Sequence, residues 1–130
     1  MNGKRLLLIS VLLLSMSGTC FAVTDGITKS IDNYTQQIQS DPQSAYAYSN
    51  RGSMRFLKQD FKGALSDFDN AIKINPQNHE LYLNRGYVKQ FMNDLNGALE
   101  DYNQVLKLRP NYAYAYNNRG VLKVALNDIR

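Results

Sequence analysis

Apolar and polar positions divide this chain into a short hydrophobic block and a long region with helical periodicity. The block runs from Leu6 to Leu14, interrupted only by Ser10. Beyond residue 24 the apolar side chains recur every three or four positions instead. Phe61, Leu65, Phe68 and Ile72 share one face of a 3.6-residue period, which predicts an amphipathic helix with a single buried stripe. Ile27, Ile31, Tyr34 and Ile38 show the same spacing 34 residues earlier, so 25–41 reads as a helix of the same type.

That offset of 34 runs through the rest of the chain. Tyr48, Tyr82 and Tyr116 obey it, as do Asn50, Asn84 and Asn118, then Arg51, Arg85 and Arg119, and Gly52, Gly86 and Gly120. Pro42, Pro76 and Pro110 close the pattern. Residues 45–78 and 79–112 share 11 identities in 34 positions, far too many at a fixed offset for chance. A constant period in this range denotes stacked supersecondary units, each burying its apolar face against the next.

With an aromatic at position 4, Gly at 8, Ala at 20, an aromatic at 24, Ala at 27 and Pro at 32, the pattern resembles the tetratricopeptide repeat family. Tyr48, Gly52, Ala64, Phe68, Ala71 and Pro76 match in 45–78; Tyr82, Gly86, Ala98, Tyr102 and Pro110 match in 79–112, where Val105 replaces the second Ala. Both repeats depart at position 7 (Arg51, Arg85) and position 11 (Arg55, Lys89). The resemblance covers essentially all of 25–130. It implies an all-α, right-handed α-solenoid of antiparallel helix pairs, helix A then helix B, and a protein or extended peptide as partner.

The residues support this independently of the family. Gly52 and Gly86 lack side chains where helix A approaches helix B, and Ala64 and Ala98 answer from helix B. Pro76 and Pro110 cannot continue a helix and fix the turn into the next unit. Asp60 and Asp94 are placed to cap helix B. The expected organisation is a leader over 1–22, an N-terminal capping helix over 25–41, repeats over 45–78 and 79–112, and a helix A alone over 113–130. Leu122, Leu126 and Ile129 stand where Val88, Met92 and Leu95 would meet a following helix. They are expected to be exposed, inviting self-association.

Composition narrows the chemistry. One Cys (Cys20) and one His (His79) rule against zinc, thiol–imidazole and Ser–His–Asp sites, and no cofactor or enzymatic role is expected. Lys4 and Arg5 precede the apolar block, and Cys20-Phe21-Ala22 ends the leader with small residues where a signal peptidase requires them, placing the cut after Ala22. This predicts a periplasmic or secreted protein. A lipid on Cys20 and an uncleaved anchor are the alternatives, although the apolar block is about half of the roughly 20 residues that span a bilayer. Without Lys4 and Arg5 the chain has 13 basic and 11 acidic residues, a net +2, too weak to draw nucleic acid.

In such stacks the A helices line a concave surface. The resemblance assigns it Tyr46, Ser49, Asn50 and Ser53 from the first repeat, Glu80, Leu83, Asn84 and Tyr87 from the second, and Tyr114, Asn117 and Asn118 from the third. Phe56, Leu57, Gln90, Phe91, Val121, Val124 and Ala125 extend the same face. Asn50, Asn84 and Asn118 form a candidate ladder of amides able to grip a peptide backbone. Family members that hold acidic chaperone tails use Lys, Asn, Asn, Lys and Arg at five places. Ser49, Ser53, Asn84, Tyr114 and Asn118 stand there, one match of five, so no such clamp is expected. Arg51 with Asp67, and Arg85 with Asp101, are expected to be ion pairs within the stack. Tyr116 is expected in the core, Tyr112 in the linker and His79 on the surface. The alternative to a groove-binding module is the N-terminal part, or self-assembling subunit, of a larger scaffold or multidomain protein.

Overall fold

The computed structural model describes the backbone over Gly3–Asp128 and side chains over 18–127. The described residues form α1 (Gly3–Ser40), α2 (Ala45–Leu57), α3 (Phe61–Ile74), α4 (His79–Phe91), α5 (Leu95–Leu108) and α6 (Ala113–Asp128), without a strand. Each packs on its sequence neighbours, giving the expected all-α solenoid. The B-type helix expected over 25–41 is the last part of α1, which starts much earlier, at Gly3. The side chains of the Leu6–Leu14 block lie outside the described residues. Ala22 and Val23 fall within α1, and among the described residues no helix is long and apolar enough to cross a membrane.

Two kinds of turn alternate. Between helices A and B, Gln59 and Asn93 take left-handed conformations with φ of 63° and 62°, ending α2 and α4. Asp60 and Asp94 then accept a hydrogen bond from the backbone N–H of Gly63 and Gly97, each at 3.0 Å. Such a cap contributes about 1 kcal/mol. Gly63 and Gly97 leave the room this needs, since a Cβ there would run into the capping carboxylate. Between helices B and A the chain turns through Asn75-Pro76-Gln77, and Asn78 caps α4. Tyr82 fastens this turn by donating its hydroxyl to the Pro76 carbonyl at 2.9 Å.

Each B helix is held between its own A helix and the next. Ala64 and Phe68 of α3 cluster with Phe56 of α2 and Val88 of α4; Ala98 and Tyr102 of α5 cluster with Leu122 of α6. Each large side chain buried this way contributes about 1.5–3 kcal/mol. Leu122 is only 1% exposed, contrary to expectation. The reason is direction: Val88 and Leu122 pack backwards onto the preceding B helix, so Leu122 is covered without needing a helix after it. Leu126 is half-buried and Ile129 lies outside the described residues. Tyr116, expected in the core, is 48% exposed, because among the described residues no helix B of its own repeat packs over it. His79 differs from expectation: it is half-buried, its ring meeting that of Tyr112 edge-on at 5.1 Å, while Tyr112 lies in the turn between α5 and α6 as expected and packs against the core.

The expected ion pairs are present and more elaborate than a pair. Asp67, 1% exposed, accepts from Nε and Nη2 of Arg51 at 2.9 and 2.7 Å and from Arg55 Nη1 at 3.0 Å. Asp101 accepts from Nε and Nη2 of Arg85 at 2.9 and 2.6 Å, with Lys89 Nζ at 3.1 Å. The departures at positions 7 and 11 are therefore one device, two cations on one buried carboxylate. The remaining nitrogen, Nη1, reaches back one helix: Arg51 to Thr35 in α1 at 3.2 Å, Arg85 to Asp69 in α3 at 2.9 Å, Arg119 to Asn103 in α5 at 3.2 Å. The hydrogen bonds that Arg85 donates to Asp101 also hold Arg85 above its ordinary pKa, despite partial burial.

Candidate peptide groove

Helices α2 and α4 lie side by side because α3, between them in sequence, packs against both. Their facing residues enclose a trough with two chemically distinct ends. The polar end, about 410 Å³, is lined by Tyr46, Ser49, Asn50 and Ser53 of α2, Glu80, Leu81 and Asn84 of α4, and Asn75 and Asn78 of the intervening turn. The apolar end, about 280 Å³, is lined by Ser53, Phe56 and Leu57 of α2, Phe68 beneath, and Asn84, Tyr87, Val88 and Phe91 of α4. Ser53 and Asn84 belong to both linings and mark the junction.

The three asparagines are not equivalent. Asn50 donates to the Tyr46 carbonyl of its own helix at 2.8 Å. Asn118 donates to the Tyr87 hydroxyl at 3.1 Å, tying α6 to α4. The Asn84 side chain makes no hydrogen bond within the described residues, so its amide is available to a ligand. The repeat pattern gave the position but could not distinguish these three partners.

The other assigned residues divide. Tyr87 keeps its place, its ring 6.1 Å from Tyr102. Leu83 turns inward against the clusters of Tyr82 and Tyr102 and lines neither end of the trough. Gln90 accepts from the Tyr102 hydroxyl at 3.0 Å and so serves the core. Tyr114 is exposed beside Tyr112 and lines neither end, while Asn117 joins Tyr116, Gly120, Val121 and Val124 on another face of α6. Phe56 and Phe91 gain weight: their rings meet at 5.0 Å, and Phe91 remains 65% exposed at the mouth of the apolar end. Their positions were legible as concave; that their rings would converge with Phe61 was not.

Glu80 is the only charged side chain in the combined lining. Among the described residues no three metal-ligating side chains converge. The trough can offer amide and hydroxyl groups to a backbone and an aromatic seat to one apolar side chain, with little net charge.

The helix pairs, their 34-residue recurrence and the Gly, Ala and Pro positions agree with two family profiles. The profile "Tetratricopeptide repeat" matches residues 45–78 and "TPR repeat" matches 92–127. The chain belongs to the tetratricopeptide repeat family. Among solved structures this TPR chain is similar to the first TPR of Spaghetti (RPAP3) bound to the HSP90 peptide SRMEEVD, with 30% identity over 89% of this chain and 92% of that one, and a TM-score of 0.76. It is similar to the second TPR domain of human RPAP3 in complex with the HSP70 peptide SGPTIEEVD, with 26% identity over 84% and 91% of the two chains and a TM-score of 0.72. MamA matches at 25% identity over 75% of this chain with a TM-score of 0.73, and the TPR chain spans 57% of its length. No curated protein matches significantly by sequence.

Proposed function

We propose that this TPR chain is a non-enzymatic binding module that holds an extended segment of a partner protein between α2 and α4, outside the cytoplasm. The observation that carries the reading is the free Asn84 amide at the junction of a polar trough and an aromatic pocket. Asn84 and Ser53 satisfy the backbone of the segment, and one apolar side chain seats between Phe56 and Phe91, where burial supplies most of the affinity. The peptide complexes of the RPAP3 domains support a peptide as ligand, but their acidic tails are the wrong chemistry for this trough. Ser49, Ser53, Tyr114 and Asn118 replace four of the five clamp residues, and the lining carries one negative charge. The partner segment is therefore neutral to weakly basic, with one aromatic or large aliphatic anchor. Export rests on Lys4 and Arg5, the apolar block and the Cys20-Phe21-Ala22 ending.

A displayed peptide library selected on the full chain tests this, followed by titration of the best binder. An affinity in the micromolar range, about −8 kcal/mol, is expected for so small a surface. Asn84→Ala weakens it by about 1–3 kcal/mol through an unmet backbone group, Phe91→Ala weakens it by a similar amount, and Lys107→Ala on α5 leaves it unchanged. Selected peptides rich in acidic residues, or binding indifferent to Asn84 and Phe91, would refute the groove.

A further inference from the structure

The polar end of the trough is a seat of hydrogen-bond acceptors. Asn50 donates its amide N–H to the Tyr46 carbonyl at 2.8 Å, which leaves its Oδ1 to accept. Ser53 donates its hydroxyl to the Ser49 carbonyl at 3.1 Å and likewise keeps an oxygen to accept. Glu80 is exposed, and its carboxylate makes no hydrogen bond or ion pair among the described residues. Tyr46, 68% exposed on α2, lines the same end and adds an aromatic ring, while no lysine or arginine lines it. A carboxylate, an amide oxygen and a ring together attract a cation. An acid in the first turn also favours a helix, yet Tyr46 and Tyr114 hold the same repeat position in α2 and α6, so helix formation does not require Glu80.

The ends are separated by a distance that the helix sets. Along α4 the rise from Glu80 at the polar end to Asn84 at the junction is about 6 Å, and to Val88 at the apolar end about 12 Å. An extended segment advances about 3.3 Å per residue with alternate side chains on one face, so its positions 1, 3 and 5 fall at about 0, 7 and 13 Å. The two rulers agree.

We infer, on the groove reading above, that Glu80 selects a partner segment whose lysine or arginine lies four positions from its apolar anchor, with a small residue midway. The basic side chain reaches Glu80 and Tyr46, and the anchor enters between Phe56 and Phe91. The small residue lets the backbone approach Asn84 and Ser53, which a longer side chain on that face would hold away. Four positions separate charge and anchor whichever way the segment runs. An acidic residue at the same place meets Glu80 and is repelled.

The probes are the fluorescent peptides TKTATFT and TFTATKT, acetylated and amidated so that lysine supplies the sole charge, titrated into the full chain. Micromolar binding of at least one order is expected. Glutamine for the lysine, or the lysine moved one position onto the other face, weakens binding by about two- to fivefold, as for an exposed ion pair. Glutamate there weakens it by about tenfold, and leucine for the central alanine weakens it for every protein variant. Glu80→Gln removes the preference among lysine, glutamine and glutamate, and Glu80→Lys reverses it. That reversal separates recognition from a merely structural role, which would lower thermal stability without changing which peptide is preferred. Peptides that bind through phenylalanine but ignore the lysine, its spacing and Glu80, or that tolerate the central leucine, would overturn the inference and leave the groove standing. If no peptide carrying the anchor binds, both readings fall together.

Discussion

Replacing the same repeat glycine by alanine at three places gives three different outcomes. In a helix interior Gly→Ala stabilises by about 0.5–1 kcal/mol through backbone entropy. At Gly120 no described atom lies within 4 Å, so the full gain is expected. At Gly52 the new methyl meets Asp67 Cβ at 3.2 Å and the Ala64 carbonyl and Phe68 ring at 3.3 Å, and these must give way by a few tenths of an ångström. At Gly86 it lies 2.7 Å from a ring carbon of Tyr102, which is wholly buried and anchored through its hydroxyl to Gln90 at 3.0 Å, so the ring cannot swing aside. Overpacking costs about 1–3 kcal/mol. Taking the low end at Gly52 and the high end at Gly86, Gly52→Ala is near neutral or slightly destabilising. Gly86→Ala is then destabilising by about 2 kcal/mol. At about 4 °C per kcal/mol, thermal unfolding followed by circular dichroism should rank Gly120→Ala above wild type, and Gly86→Ala roughly 8 °C below it. If Gly86→Ala melts as high as Gly120→Ala, helices A and B do not approach as closely as described, and the steric account of the repeat fails.

Three further outcomes follow from the buried polar seam and the leader. Asp101→Ala leaves Arg85 and Lys89 without their shared carboxylate and should cost about 3–5 kcal/mol in urea unfolding. Asp69→Ala removes only the half-exposed outer contact of Arg85 and should cost under about 1 kcal/mol, so equal losses would refute the ranking. Burial, with Tyr87 and Asp101 close by, pushes the Tyr102 phenol above its ordinary pKa. Stability is then complete below about pH 10, the unfolded value, and falls as pH rises beyond it, because the unfolded chain ionises more readily than the folded one. Tyr102→Phe should flatten that alkaline loss, and an unchanged profile would count against it. Finally, N-terminal sequencing of the mature protein should begin at Val23; a start at Cys20 carrying lipid would replace the soluble periplasmic reading, and an intact Met1 would remove both.

The period, the helix pairs and the turns were legible because the residues that set them act through sterics alone. Proline ends a helix, aspartate caps one, and glycine permits contact, whatever surrounds them. What failed to read was direction. Position 10 of helix A (Val88, Leu122) looked forward by analogy with an amphipathic stripe, yet it faces the preceding B helix, and nothing in the spacing distinguishes the two. The trough was half legible. The concave positions followed from the resemblance, but whether an asparagine bonds its own helix, a tyrosine or nothing depends on neighbours from another repeat, which a one-dimensional pattern cannot supply.

Position 7 explains why the seam between helices A and B is polar. The family pattern places leucine there, and an apolar seam between helices A and B accepts any apolar neighbour. Arginine is more demanding. Each guanidinium needs an acceptor behind it and a carboxylate ahead, and a buried charge left without its partner costs several kcal/mol. For Arg51 the acceptor behind is Thr35 of α1 and the carboxylate ahead is Asp67. At α6 the rear acceptor is Asn103, and among the described residues no carboxylate stands ahead. The ion pairs therefore add little to stability over leucines, but they make each helix A selective for the helix packed against it. A helix with an apolar face alone would bury Arg119 unpaired, whereas one with aspartate in register would not.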